Sequence, residues 1–113
     1  MITAKFYLKP SQGSIHMKLQ GHANAAPKGE DLVCSAATML AYTVAQAVKY
    51  LDEQGMLKKK PKIILKEGDA TIIATPTEEG YAMVLHTFWV AQCGIHVLQH
   101  NYPQNVQLEH LKV

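Results

Sequence analysis

Apolar and polar residues alternate over 2–8, ITAKFYL, and again over 14–20, SIHMKLQ. A period of two places alternate side chains on opposite faces of a strand. The linking KPSQG carries the turn residues Pro10 and Gly13, so these runs predict an antiparallel hairpin. From Leu32 to about Glu53 the period lengthens, and Val33, Ala37, Leu40, Val44, Ala47, Val48 and Leu51 form a helical stripe that stops at Gly55. Two β-branched runs, KIILKEG and ATIIATP, flank Gly68-Asp69 and predict a second hairpin with a tight turn. A second helix is predicted from Glu79 or Gly80 to His100, with Val84, Leu85, Phe88, Ala91, Ile95 and Leu98 inward and NYP as its stop. The tail NVQLEHLKV, 105–113, alternates again as a final strand. The order ββαββαβ is that of an α+β fold, a two-layer arrangement of helices on a mixed or antiparallel sheet.

The second helix is apolar on its reverse side as well, at Val90, Cys93 and Val97 with Trp89 on the flank. A helix hydrophobic on two sides needs cover on both, which in so short a chain points to a homodimer.

At 113 residues the chain supports one core, and one domain is expected over 1–113. Hydrophobic residues make up 48% and charged residues 18%, and no unbroken apolar run nears the roughly 20 residues of a membrane span, so no membrane role is expected. The start MITAKFYLKP alternates instead of forming a secretory signal. A cytoplasmic location is therefore expected, with Cys34 and Cys93 as free thiols. The net charge of +2, and a basic run LKKKPK with no interleaved aromatic residue, predict no direct nucleic-acid contact.

Candidate chemistry concentrates in GHANAAPKGEDLVC, 21–34. Asp31 precedes the first helix-periodic residue and is a natural N-cap, which makes Cys34 the third residue of the helix. A thiol there feels the positive end of the helix dipole, which favours the thiolate. Backbone N–H groups lacking an intrahelical acceptor, that of Ser35 among the candidates, can hold the oxyanion formed when a thiolate attacks an acyl carbon. His22, at a strand exit beside the same loop, is the candidate base. Thr38 lies one turn beyond Cys34 on the same flank. The bland alternative is that Cys34 is a small packed hydrophobe. His96 and His100 have i, i+4 spacing but no third ligand, so no metal is expected, and no nucleotide or other cofactor fingerprint is present.

Gly21-His22-Ala23 followed by Gly29-Glu30-Asp31-Leu32-Val33-Cys34-Ser35-Ala36 resembles the bacterial ribosomal-processing cysteine protease (Prp) family, whose length and element order the chain also matches. The resemblance implies Cys34 as nucleophile, His22 as general base, and Gly21 and Asp31 as residues tied to site geometry. It departs from the family pattern at Ser35, commonly Ala, and at Thr38, commonly Ser. It further implies a cysteine endopeptidase that removes the N-terminal extension of a large-subunit ribosomal protein precursor, a homodimer, and a His-to-Cys loop that orders over the peptide. The competing readings are a non-catalytic ribosome-associated assembly factor and a Cys/His hydrolase of another amide or thioester.

Overall fold

A computed structural model describes residues 1–26 and 31–111; the middle of the expected closing loop, 27–30, and residues 112–113 of the expected last strand lie outside them. The elements are β1 (Ile2–Lys9), β2 (Ser14–Gln20), α1 (Leu32–Glu53), β3 (Lys62–Lys66), β4 (Asp69–Ala74), α2 (Tyr81–Asn101) and β5 (Val106–Glu109). The five strands form one sheet in the order β3-β4-β2-β1-β5, antiparallel except where β5 runs parallel to β1. The class is α+β with a mixed sheet, in the expected ββαββαβ order.

The alternation in the strands does the sorting. Ile2, Ala4 and Phe6 of β1, Ile15, Met17 and Leu19 of β2, and Ile72 and Ala74 of β4 are buried. Helix α1 covers the β3–β4 side of the sheet and α2 covers β2, β1 and β5. The α1 stripe runs through Val33, Ala37, Ala41, Val44, Ala45, Val48 and Leu51. Ala41 and Ala45 thus belong to the core, while Leu40 and Ala47 of the expected stripe are half-buried at its edge, Leu40 packing against Gly94 of α2. Small residues let α1 sit close to the sheet, and volume alone does not mark them as core.

Two boundaries shift. The tight turn is Glu67-Gly68, because Lys66 pairs with Asp69 and Gly68 takes the positive φ of +74°. Strand β5 ends at Glu109, after which the Leu111 N–H donates to the Gln92 Oε1 at 2.6 Å, and within the strand the Leu108 N–H donates to the Gln99 Oε1 at 2.6 Å. Buried Gln92 replaces the strand ladder as the acceptor for this segment.

Their apolar residues also give both helices the length and composition of a membrane span, although neither contains an unbroken apolar run of roughly 20 residues. In the fold each lays its buried stripe on the sheet. The reverse side of α2 is exposed as expected, with Trp89, Val90 and Val97 at 46%, 52% and 57% accessibility.

Candidate active site

Strand β2 hands the chain to the site through Gly21. Its φ is +92°, and a Cβ there would fall on the Met1 carbonyl oxygen, so only glycine passes. The Gly21 N–H donates to the Gly68 carbonyl at 3.0 Å, which ties the strand exit to the β3–β4 turn. Beyond His22, buried Ala23 accepts a 2.8 Å hydrogen bond from the Asn105 Nδ2, and Asn24 turns the chain with φ +56°.

Asp31 closes the loop onto the helix. Its backbone is extended (φ −83°, ψ 97°), as an N-cap requires, and its Oδ1 accepts from the Cys34 N–H at 2.9 Å. Its other oxygen, Oδ2, accepts from the Ala25 N–H at 3.0 Å. One carboxylate therefore holds the segment after His22 and the start of the helix bearing Cys34. The Cys34 amide is the main cause of an Asp31 pKa below the ordinary carboxylate range, with other amides of the loop and helix start assisting against the cost of desolvation.

Gly21, His22, Asp31, Cys34, Ser35 and Thr38 all line one cavity of about 750 Å³. Cys34 is half-buried and His22 exposed. The two side chains share the cavity without a hydrogen bond between them, a bond that in such pairs often forms only in the Michaelis complex. His22 lies against the β3–β4 turn, where a Cβ built on Gly68 would stand 3.0 Å from its Nε2.

The expected oxyanion role of Ser35 meets an obstacle. Its N–H donates to the Asp31 carbonyl at 3.1 Å, the first ordinary bond of the helix, and so is not a spare donor. The carboxylates of Asp31 and Asp69 are committed to the Cys34 and Ala25 amides and to the Thr71 hydroxyl, respectively. Among the described residues no group of three His, Cys, Asp or Glu side chains could hold a metal ion. His96 faces His110 across 5.7 Å with the rings tilted by 52°. Both cysteines are free.

Gly68 and Asn105, which the sequence reading did not connect to the site, join it across the fold. Their only sequence signals were a turn glycine and an asparagine after the NYP stop.

A thiol at a helix start and an imidazole lining the same cavity are the residue types that a thiol-dependent hydrolase uses. The family model for cysteine protease Prp matches residues 1–107, and the chain belongs to that family of cysteine-type proteases. Among solved structures, the ribosomal processing protease Prp from S. aureus with a covalently linked product peptide has a TM-score of 0.71 at 20% identity, covering 99% of this chain and 100% of that one. SMU.848 from Streptococcus mutans has a TM-score of 0.68 at 23% identity, covering 99% and 96%. At such identities the likeness is one of fold. No curated protein sequence matches the chain.

Proposed function

We propose that this cysteine protease is an endopeptidase with Cys34 as nucleophile and His22 as general base and acid, and that it removes the N-terminal extension of a large-subunit ribosomal protein precursor. The observation that carries the dyad is the double engagement of Asp31, which fixes the Cys34 helix start and the His22 loop on one cavity. The substrate is supported by the S. aureus relatives, described as a ribosomal processing protease bound to a substrate peptide and to a covalently linked product peptide.

In this reading His22 takes the thiol proton as Cys34 Sγ attacks the scissile carbonyl carbon. The tetrahedral intermediate collapses with loss of the amine, which leaves with the proton returned by His22. Water, deprotonated by His22, then hydrolyses the thioester and frees Cys34. Free thiols suit the reducing cytoplasm in which we place the enzyme. The exposed apolar face of α2 is the surface on which we place a homodimer contact.

A peptide spanning the extension junction tests the reading. A single cut by the wild type, abolished in Cys34→Ala and reduced at least a hundredfold in His22→Ala, is the expected result. Undiminished cleavage by Cys34→Ala rules the reading out.

A further inference from the structure

Helices α1 and α2 pack on the face of the sheet that carries Phe6, Ile15, Met17 and Ile72. The strand register defines what stands on the opposite face, which no helix covers among the described residues. Lys62 of β3, Ile73 of β4, His16 of β2 and Tyr7 of β1 are partners in one row across it. Thr71, Lys18 and Lys5 make the next row, and Ser14 with Lys9 lies on the other side. With strands about 4.8 Å apart, the row from Lys62 to Tyr7 is about 14 Å long.

Cations collect on this face. All 11 basic residues of the chain are lysines. Lys5, Lys9, Lys18 and Lys62 stand here, and exposed Lys58, Lys59 and Lys60 lead the chain into Lys62, the Lys58 N–H donating to the Thr75 carbonyl at 2.8 Å. Most of the cations thus gather on one side of a protein whose net charge is only +2. Lys5 and Lys18 are direct cross-strand partners, a like-charge pairing that weakens a sheet. Glu109 on β5 is in register with Lys5, and Asp69 accepts from the Thr71 hydroxyl. Burial first, then Lys9 and Lys18, hold the His16 pKa down at about 4, so both ammonium groups act on that ring.

Two rings stand among these lysines. Half-buried Tyr7 stacks on buried His16, with centroids 4.6 Å apart and 15° between the planes. The Ser14 hydroxyl lies 2.7 Å from the His16 Nε2, which fixes that ring. Strand β5 pairs with β1 only at Ile2–Lys5, so the Tyr7 face turned away from His16 has no strand beside it. Residues 57–62 hold no aromatic residue of their own, and the strand order supplies the rings instead.

Lysines around an open ring suit single-stranded nucleic acid, whose phosphates meet the ammonium groups while a base stacks on the ring. A second copy of the chain would set the same lysines against these. A bilayer would need large apolar side chains standing out from the face, whereas Ile64 and Ile73 are half-buried between their neighbours. An acidic peptide would use the lysines and leave the ring idle.

We propose that this sheet face binds a single-stranded segment of RNA, with phosphates on Lys5, Lys18 and Lys62 and a base stacked on Tyr7. The face meets the catalytic cavity only at Lys66 and Asp69, which line that cavity, so RNA and peptide can be held together. The single-strand site stands on this geometry alone; the choice of RNA rests on the reading of the protein as a processor of a ribosomal precursor.

Fluorescence anisotropy with a labelled oligouridine of about twelve nucleotides tests the site. A Kd in the micromolar range is expected at about 50 mM salt, weakening as salt rises. Replacing Lys5, Lys18 and Lys62 together by Gln should weaken binding at least tenfold and lower the slope of log K against log salt by about 2. That variant should melt no lower than the wild type, since it removes a like-charge pair, and should cleave the junction peptide at the same rate. Tyr7→Leu should weaken binding at least fivefold with the salt slope unchanged, and Tyr7→Phe should bind like the wild type. No binding at the lower salt, equal binding by the triple variant, tighter binding of the same length of duplex RNA, or equal competition by polyglutamate or phosphatidylserine vesicles overturns the proposal. RNA binding by a wild type that does not cut the junction peptide upholds the single-strand site and overturns the peptidase reading instead.

Discussion

The His22 imidazole lies against the Gly68 turn, with its Nε2 3.0 Å from where a Gly68 side chain would begin. Glycine is favoured at that turn on two counts, by the positive φ of +74° and by the close approach of the ring. Asparagine separates the two demands, because it tolerates the left-handed conformation but still brings a Cβ. Gly68→Asn should therefore fold with little loss of stability while displacing the imidazole. The contact asks the ring to move by a few tenths of an ångström, so a several-fold drop in peptide cleavage is expected, short of the loss that a misplacement of about 1 Å brings. Thermal melting and Cys34 alkylation with iodoacetamide, read together, check it; unchanged alkylation and cleavage would mean that the turn does not position His22.

Asp31 allows a similar separation. An asparagine in its place still offers one oxygen to the Cys34 N–H and remains a good N-cap. Its amide nitrogen cannot accept from the Ala25 N–H, so the clamp on the His22 loop opens while the helix start stays capped. Asp31→Asn should reduce cleavage more than it reduces melting temperature, whereas Asp31→Ala should reduce both. Because folding depresses the Asp31 pKa, the wild type holds this stabilisation above the ordinary carboxylate range and loses it as the pH falls through the folded value. Asp31→Ala should flatten that acid limb in a series of melts.

What the chain disclosed in advance follows from the range of the forces involved. The cap at Asp31, the helical position of Cys34 and the alternation of β1 and β2 rest on contacts within a few residues, and each is readable from spacing. The exposed apolar side of α2 was legible for the same reason, since a wheel needs no tertiary information. Gly68 under His22, Asn105 on the Ala23 carbonyl and Leu65 opposite Tyr42 join segments far apart in sequence, and only the strand order brings them together. Ser35 misled because its amide was judged by its place near a helix start, although the Asp31 carbonyl already claims it.

The reverse face of α2 makes a prediction about assembly. Trp89, Val90 and Val97 are about half exposed, and the His86 ring stacks near Trp89 at 5.5 Å. If a second copy covers this face, Val90→Lys with Val97→Lys should convert a dimer at micromolar concentration into a monomer. Sedimentation velocity reads the change directly. A wild type that sediments as a monomer removes the dimer from the proposal, and a dimer indifferent to both substitutions moves it to another surface.

His16 sits on central strand β2, buried, stacked on Tyr7 at 4.6 Å with 15° between the rings, and hydrogen-bonded through Nε2 to the Ser14 hydroxyl at 2.7 Å. Its Nδ1 has no partner among the described residues. Burial, with Lys9 and Lys18 nearby, holds its pKa down at about 4, against 6.5 for a free imidazole. In that interval the unfolded chain binds a proton that the folded chain refuses, so stability is complete above about pH 6.5 and falls as the pH drops toward 4. Allowing for solvent screening of the lysines, the loss should amount to about 1–2 kcal/mol. His16→Phe keeps a flat ring against Tyr7 and does not titrate, so its stability should lack this slope between pH 6.5 and 4. Urea melts of both proteins across that range decide it, and parallel slopes would mean that another group governs the acid limb.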